Sequence, residues 1–392
     1  MSMPLYLWIL HISLLPIYIF KSGSVQPSHL VFLSALGVFS LSNLSGKDFF
    51  HNPVSHSAEV AIHARGKVLI IAFSLFSLYV TFVNSVWSVI LGSFVPFLFS
   101  SFQLYNLVLI FFMVNIAGRD FVSFLKATRV GFIFAIAISV LAILITGFDS
   151  ASRESSLFNN PNQLGFFCIS ASMIFIVANK FSIGSISSNI AALTITSLLC
   201  MPTLSRAGIY TCLFLLFVGV LSIPRTGSKL TLIIIIGLLV GPFALSIGTF
   251  DKLTERSSYR ADFKKNTNSS ELEERGYDRI FANPEYLAFG AGEGVFKRFE
   301  GRLAGLGAEM HSSVGTILFS YGIIGFFLYL VVWGLLILGS PGITMKLCAI
   351  APLLYGFTHN GLRFSASIIA VTIVIMAGAA LGAKSKSDKI KA

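Results

Sequence analysis

Long apolar runs separated by short polar segments recur from one end of the chain to the other. About 20 consecutive apolar residues span the hydrocarbon core of a bilayer as a helix, whereas a membrane β-barrel shows short segments of alternating polarity. We therefore predict membrane-spanning helices at residues 4–20, 28–43, 68–91, 96–117, 130–147, 164–179, 189–204, 207–223, 230–250, 312–338, 343–358 and 364–383.

The composition agrees with this pattern. Of the 392 residues, 55% are hydrophobic and only 11% are charged, whereas a soluble domain carries about 25% charged residues. The predicted fold class is an all-α polytopic integral membrane protein with about twelve transmembrane helices and one large periplasmic loop. The first run lacks a basic leader and a small-residue cleavage site, so it is interpreted as a retained helix.

The pattern divides the chain into four parts. Residues 1–250 hold nine predicted helices with short loops, and residues 251–311 form the large loop. Residues 312–383 hold three more helices, and residues 384–392 form a basic tail. The four cysteines lie inside apolar runs without metal-ligand or redox spacing, so they are interpreted as packing residues.

Lys and Arg in short loops predict the orientation, because they favour the cytoplasmic side. If the helices alternate in direction, 14 of the 28 basic residues fall on one side and 4 in the short loops of the other side. The remaining 10 lie in the large loop. The first side is therefore predicted to be cytoplasmic, which leaves both termini inside and the large loop outside. Only four basic residues fall in the short outer loops: Lys21, Arg153, Arg206 and Arg363.

The net charge of +11 follows from this distribution. The positive charges are spread over inner loops and a short tail, so no nucleic-acid partner is expected. The large loop holds 10 basic and 11 acidic residues and is nearly neutral.

Arginines on the outer side oppose the orientation signal, so each calls for an explanation. Asn160 and Pro161 are a good helix start, with Asn as the N-cap. Arg206 precedes an apolar run, where a guanidinium adds to the positive end of a helix dipole and suits a phosphate or pyrophosphate. An interfacial arginine with its head in water is the alternative for Arg206.

The large loop carries a second group of charged residues. Arg275 and Arg279 are four residues apart, so a helix would place both on one face as a diphosphate clamp. Surface ion pairs with Glu271, Glu274 or Asp278 are the alternative. The following GAGEG lacks the spacing of a phosphate loop and is interpreted as a flexible turn.

Two histidines lie on the predicted outer face. His311 opens the tenth span, where a histidine can take a proton at neutral pH. His359 pairs with Arg363 before the last span. A structural role is the alternative for each of these residues, but their concentration on one surface favours a site.

These motifs, in this order, resemble the bacterial O-antigen ligase and O-antigen polymerase superfamily over essentially the whole chain. The resemblance is carried by R-x-x-S-x-F-N-N-P-N-x-L-G at 153–165, SRAG at 205–208, RGYDRIFANPEYLAFGAGEG, and EMHSSVGTILFSYGIIGFFLY. HNGLR before the last span is most similar to the polymerase branch.

The resemblance implies a GT-C-like, metal-independent glycosyltransferase that uses undecaprenyl-pyrophosphate-linked sugars at the periplasmic face of the bacterial inner membrane. His311 would act as the general base on the acceptor hydroxyl. Arginines would hold the departing pyrophosphate. The implied substrate-binding residues are Arg206, Arg275 and Arg279, followed by Arg153, Asn162, His359 and Arg363.

We favour a polymerase of lipid-linked O-antigen repeat units and expect no cofactor or metal. The expected partners are a lipid-linked oligosaccharide donor and acceptor and membrane lipid, with a chain-length regulator and a flippase as further candidates. A ligase that transfers the glycan to lipid A–core is the first alternative. A transporter or flippase of lipid-linked sugars is more distant, because the sequence shows neither polar residues along the helices nor an inverted repeat.

Overall fold

The computed structural model describes residues 2–20, 24–44, 56–147, 153–223, 226–246, 248–249, 251–255, 258, 262, 276–299, 310–340 and 342–391. These ranges are helical, with turns and short 3₁₀ segments between the helices, and they contain no strand.

The helices follow the apolar runs along the chain. The first eight are α1 (Met3–Ser13), α2 (Pro27–Leu44), α3 (His56–Ile90), α4 (Val95–Thr146), α5 (Pro161–Lys180), α6 (Ile186–Cys200), α7 (Arg206–Leu221) and α8 (Thr226–Ser246). The short α9 (Asp278–Ala282) precedes α10 (Ser313–Gly339), α11 (Gly342–Gly356) and α12 (Ser365–Lys391).

Seven helices in the described ranges are long and apolar enough to cross a membrane: α2, α3, α4, α5, α10, α12, and α6 with its 3₁₀ extension. Helices α1, α7 and α11 and the second half of α8 are apolar but shorter. The all-helical, membrane-embedded class is therefore as predicted. Each of the twelve predicted stretches overlaps a helical segment, and the number of crossings stays a prediction.

The predicted loop between residues 117 and 130 is wrong. The chain stays helical from Val95 to Thr146, with one break at Asp120, whose φ is −151° and ψ is 84°. The Asp120 carboxylate accepts a hydrogen bond from the Ser123 amide at 2.9 Å, so it caps the second half of the helix. Because the Asp120 side chain caps the next turn, the helix restarts at once and no loop separates its two halves.

The first predicted helix is shorter than expected. It ends at Ser13, three residues before Pro16, whose ring excludes the preceding residue from helical geometry and lacks an amide donor. Eleven residues rise by about 16 Å, roughly half the thickness of a bilayer core. Helix α1 packs against α2 and α4.

Helices α5 and α12 lie at the centre of the bundle. Every residue from Leu164 to Ala178 of α5 is buried, and α5 packs against α6, α7 and α12. Helix α12 also contacts α3 and α4. Because α5 is covered on all sides, its first turn has a fixed position next to the loop that enters α12.

Helix α10 is broken at Gly322, whose φ is 64° and ψ is −168°. The break is hydrogen-bonded to the glycine-rich segment 287–292. The Ala291 amide donates to the Phe319 carbonyl at 2.9 Å, and the Gly292 amide to the Ser320 carbonyl at 2.8 Å. In return, the Ile323 amide donates to the Leu287 carbonyl at 2.8 Å. An apolar environment requires such internal partners for backbone groups.

This pairing corrects the interpretation of GAGEG as a flexible turn. Residues 290–294 are buried. The Trp87 indole on α3 donates to the Gly290 carbonyl at 2.9 Å. A Cβ atom at Gly290 would collide with the backbone of Ser320. The glycines permit close approach to a broken helix, and flexibility is not their role.

Replacement of Gly322 by alanine tests this pairing. The residue has a positive φ, and a Cβ atom there would lie 2.5 Å from the Ala288 carbonyl oxygen. We expect Gly322→Ala to lower the free energy of unfolding by about 2 kcal/mol or more. The measurement is the thermal unfolding midpoint of detergent-purified protein.

Gly334→Ala is the matched control on the same helix, because a Cβ atom at Gly334 meets nothing within 4 Å. It should leave the midpoint unchanged or raise it slightly. Equal midpoints for the two variants would contradict the pairing of α10 with segment 287–292.

Candidate active site

The first turns of α5, α7 and α10 meet at the loop between α11 and α12. The Ser313 amide donates to the His359 carbonyl at 3.2 Å, and the Gly361 amide donates to the Ser313 hydroxyl at 2.9 Å. The Ser205 hydroxyl lies 3.4 Å from His359 Nε2. We call this region the polar end, comprising residues 153–163, 201–206, 310–316 and 357–365.

Each of the three helices begins with a side-chain cap. Asn160 accepts from the Gln163 amide at 3.0 Å, as predicted for the Asn-Pro pair. Ser205 accepts from the Gly208 amide at 3.3 Å, and Ser312 from the Gly315 amide at 3.1 Å. Three helix N-termini therefore bring the positive ends of their dipoles to one region, which favours a negatively charged ligand.

Arg206 is the first residue of α7 and is exposed. Its Nη2 donates to the Leu253 carbonyl at 3.0 Å. That bond engages one nitrogen of the guanidinium. An exposed arginine on a helix N-terminus can bind phosphate oxygens.

Arg153 and Asn162 bind each other instead of facing outward. Arg153 Nη2 donates to Asn162 Oδ1 at 2.9 Å, and its Nε donates to the Thr203 carbonyl at 2.8 Å. Arg153 thus ties the start of α5 to the turn before α7. The contacts seen here are to protein groups, and the substrate-binding role expected for both residues stays a prediction.

His311 is exposed and immediately precedes Ser312, the N-cap of α10. The Tyr277 hydroxyl donates to the Ser312 hydroxyl at 2.6 Å, so the segment leading into α9 contacts this turn. His311 therefore has a fixed backbone position and a solvent-accessible imidazole. A general base must come within hydrogen-bond reach of the proton that it abstracts, and the exposed position leaves the imidazole open to an incoming hydroxyl.

His359 is more enclosed than His311. Its ring stacks on Tyr355 with centroids 4.4 Å apart. Its Nδ1 lies 2.8 Å from the Thr358 hydroxyl, and Nε2 faces Ser205. Because both ring nitrogens contact protein groups, His359 suits a positioning role better than proton transfer.

Arg279 is buried, with 1% of its surface exposed. Its guanidinium lies over the Phe296 ring at 5.8 Å. Desolvation lowers its pKa, and Asp278 partly opposes that shift. Its Nε and Nη1 atoms have no hydrogen-bond partner among the described residues. Arg279 is therefore not at the surface, but Glu271 and Glu274, two of the ion-pair partners named as alternatives, lie outside the described residues, so that alternative is not tested. Arg275, its predicted partner in a clamp, lies outside the described residues.

Arg363 pairs with a residue that the sequence analysis missed. Its Nη1 lies 3.6 Å from the Glu293 carboxylate, which is 1% exposed. Glu293 also accepts from the Tyr321 hydroxyl at 2.8 Å, and its amide donates to Asn84 at 2.9 Å. The available sequence signal for a buried acid was that Glu293 is an acidic residue between two glycines.

The structure thus brings most of the predicted residues to one end of the helix bundle. Arg206, His311 and His359 lie at the starts of α7 and α10 and in the adjoining loop. Arg363 follows in that loop. The Tyr277 hydroxyl donates to the Phe357 carbonyl of the same loop at 3.2 Å, which connects the loop to the segment that holds Arg279. Within the described part of the chain, no three His, Cys, Asp or Glu residues are grouped as metal ligands.

Comparison with known proteins adds no relative to this description. No protein-family model matches the chain, and no curated protein matches it. The assignment of function therefore depends on the chemistry of the polar end and on the motifs that form it.

The ion pair between Glu293 and Arg363 makes a prediction about stability. Removal of one partner of a buried pair leaves an uncompensated charge, which costs about 3–5 kcal/mol. We expect Glu293→Ala to reduce the thermal midpoint strongly, and Glu293→Gln to reduce it less because the amide still accepts from Tyr321.

A double-mutant cycle checks the assignment. The combination of Glu293→Gln with Arg363→Met should be more stable than the sum of the single effects allows. Strict additivity would mean that the two charges do not interact.

Proposed function

We propose that the chain is a membrane glycosyltransferase that joins undecaprenyl-pyrophosphate-linked O-antigen repeat units at the periplasmic face of the bacterial inner membrane. The observation that carries the proposal is the meeting of three helix N-termini with an exposed arginine and an exposed histidine. This combination suits a sugar diphosphate, because it offers positive charge for the phosphates and a base for an incoming hydroxyl.

The leaving group determines what the arginines must do. Pyrophosphate departs readily once its charge is held by fixed donors in a partly dry site. Arg206, at the start of α7, supplies an exposed guanidinium for this purpose. Buried Arg279 supplies a second positive charge whose partial desolvation strengthens its attraction to an anion that approaches it.

The reaction then follows from the two groups. His311 takes the proton of an acceptor sugar hydroxyl, whose oxygen attacks the anomeric carbon of the donor sugar. The bond between that carbon and the pyrophosphate oxygen breaks, and undecaprenyl pyrophosphate leaves with the electron pair. One glycosidic bond forms and one sugar–phosphate bond breaks, so no oxidant or metal is needed for the balance.

The topology proposed for this enzyme has twelve spans, with the polar end and residues 251–311 on the periplasmic side. It is supported by the 14 basic residues on the predicted inner side, against four in the short outer loops, and by mutual contacts among the predicted outer loops. One such contact joins the Asn159 amide to the Phe20 carbonyl at 3.1 Å. The predicted inner side shows its own contacts, such as Arg129 with Asn189 at 2.6 Å.

Loss of the general base is the first test of the reaction. We expect His311→Ala to abolish polymer formation while the protein still reaches the membrane, because no base then accepts the acceptor proton. The measurement is the lipopolysaccharide ladder on a gel, in a deletion strain complemented with each variant. His63→Ala, on the predicted inner side, is the control and should keep the ladder.

The same gel separates polymerase from ligase. Lipopolysaccharide capped with a single repeat unit means that polymerisation is lost. Bare core with stored lipid-linked polymer means that ligation is lost and assigns the chain to the ligase reaction. A normal ladder in His311→Ala at normal expression removes this residue from the mechanism.

Arg206 provides the second test. Arg206→Ala should lower kcat/KM by about 10²–10³-fold, the range typical of losing one preorganised donor to a developing charge. The assay measures polymerisation by purified protein in liposomes with a lipid-linked repeat unit. Lys126→Ala removes an exposed cation from the predicted inner side and should change little. Equal rates for the two variants would contradict the pyrophosphate role.

A further inference from the structure

A cavity of about 290 Å³ lies beside the polar end, between the first turns of α2, α4 and α5 and the start of α12. Its volume is close to the lower end of the range for small-ligand pockets, about 300 Å³. Asn360 and Arg363 line it from the loop that also carries His359. The residues assigned to the pyrophosphate, Arg206 and Arg279, do not line it.

The wall of this cavity mixes amides with aromatic rings. Gln163 and Asn160 line it from α5, and Phe99, Phe102 and Tyr105 line it from α4. Side-chain amides donate and accept hydrogen bonds, as sugar hydroxyls do. Aromatic rings offer flat apolar faces for the C–H side of a sugar ring, so this combination suits a carbohydrate.

One polar group at this site, and one in the adjoining cavity, are buried without partners. The Tyr105 hydroxyl is inaccessible to water and has no hydrogen-bond partner among the described residues. Neither polar atom of the Gln103 amide has one, although Gln103 is only 1% exposed. Gln103 lines a smaller apolar cavity, which shares Phe166, Gly361 and Leu362 with the larger one. Each unpaired buried group costs about 1–3 kcal/mol, a cost that a polar ligand reaching the Tyr105 hydroxyl from the cavity would offset.

The charge balance favours a neutral ligand over an anion. Among the described residues that line the cavity, Arg363 is the one arginine or lysine. Its guanidinium lies 3.6 Å from the Glu293 carboxylate. The guanidinium also lies over the Phe99 ring at 4.4 Å, so its position is fixed by protein groups.

We propose that this cavity binds one uncharged sugar residue of the substrate, next to the site of glycosyl transfer. The identity of the ligand as a substrate sugar rests on the proposed function. The location rests only on the cavity, its lining and its unpaired polar groups. The proposal therefore separates sugar recognition, at the starts of α4 and α5, from pyrophosphate binding, at the start of α7.

Saturation-transfer difference NMR tests the site without any turnover. The full-length protein is purified in lauryldimethylamine oxide, a detergent without a sugar head group. It is then titrated with methyl glycosides of glucose, galactose, mannose and rhamnose, and with N-acetylglucosamine. At least one of these sugars should give a saturable signal.

Tyr105→Phe should weaken that binding about five- to tenfold, the equivalent of one hydrogen bond. Its thermal midpoint should not fall, because the lost hydroxyl has no partner in the described protein. Gln103→Leu, a substitution of similar volume, serves as the second variant. Tyr210→Phe is the matched control, because Tyr210 is exposed on α7, away from the cavity.

The result that overturns the proposal is the absence of signal from every sugar, or an affinity unchanged in both Tyr105→Phe and Gln103→Leu. A second result would also overturn it: inorganic pyrophosphate displaces the sugar, and Tyr105→Phe weakens the binding of pyrophosphate. That result would assign the cavity to an anion. The titration involves no turnover and does not require His311. Failure of the transfer mechanism is therefore distinguishable from failure of this site.

Discussion

The pairing of a broken helix with a glycine-rich segment determines how the rest of the polar end is arranged. Gly322 interrupts α10 and leaves carbonyl groups that have no donor within the helix. Segment 287–292 supplies those donors, so the carbonyl groups do not need water as a partner. Apolar surroundings make that pairing obligatory. It places Glu293 beside Arg363 and holds the preceding residues, from Tyr277 onward, against the start of α10. Tyr277 also contacts Ser312, the neighbour of His311, which is the proposed base.

The architecture could be predicted where one stretch of sequence contains the whole cause. Apolar runs gave the positions of the helices, and Asn160 with Pro161 gave the start of α5, because a cap and a fixed φ are local properties. The helical continuation of α4 through residues 117–130 was missed, because Asp120 caps the following turn and so makes a polar stretch helical. The burial of Arg279 and the pairing of Glu293 depend on residues distant in sequence, so no local pattern indicates them.

Among the candidate residues, the structure separates groups that position from groups that can react. Arg153 and His359 use their polar atoms to join the starts of neighbouring helices. Arg206 and His311 are exposed at helix starts. From the sequence, His311 was expected to be the base and Arg206 a stronger phosphate ligand than Arg153 or His359. Residue type and loop position do not reveal which protein groups each side chain contacts. The two proposed sites also imply that the neutral and the charged parts of one substrate bind at the starts of different helices.

The central claim is that positions 206 and 311 share one extracytoplasmic surface. Arg206→Cys and His311→Cys, made singly in intact cells with a permeabilised outer membrane, test it by labelling with a membrane-impermeant maleimide. The native cysteines are buried and should give a low background. The account predicts that both positions react from the outside before the inner membrane is opened. Labelling of either position only after the inner membrane is opened would contradict it.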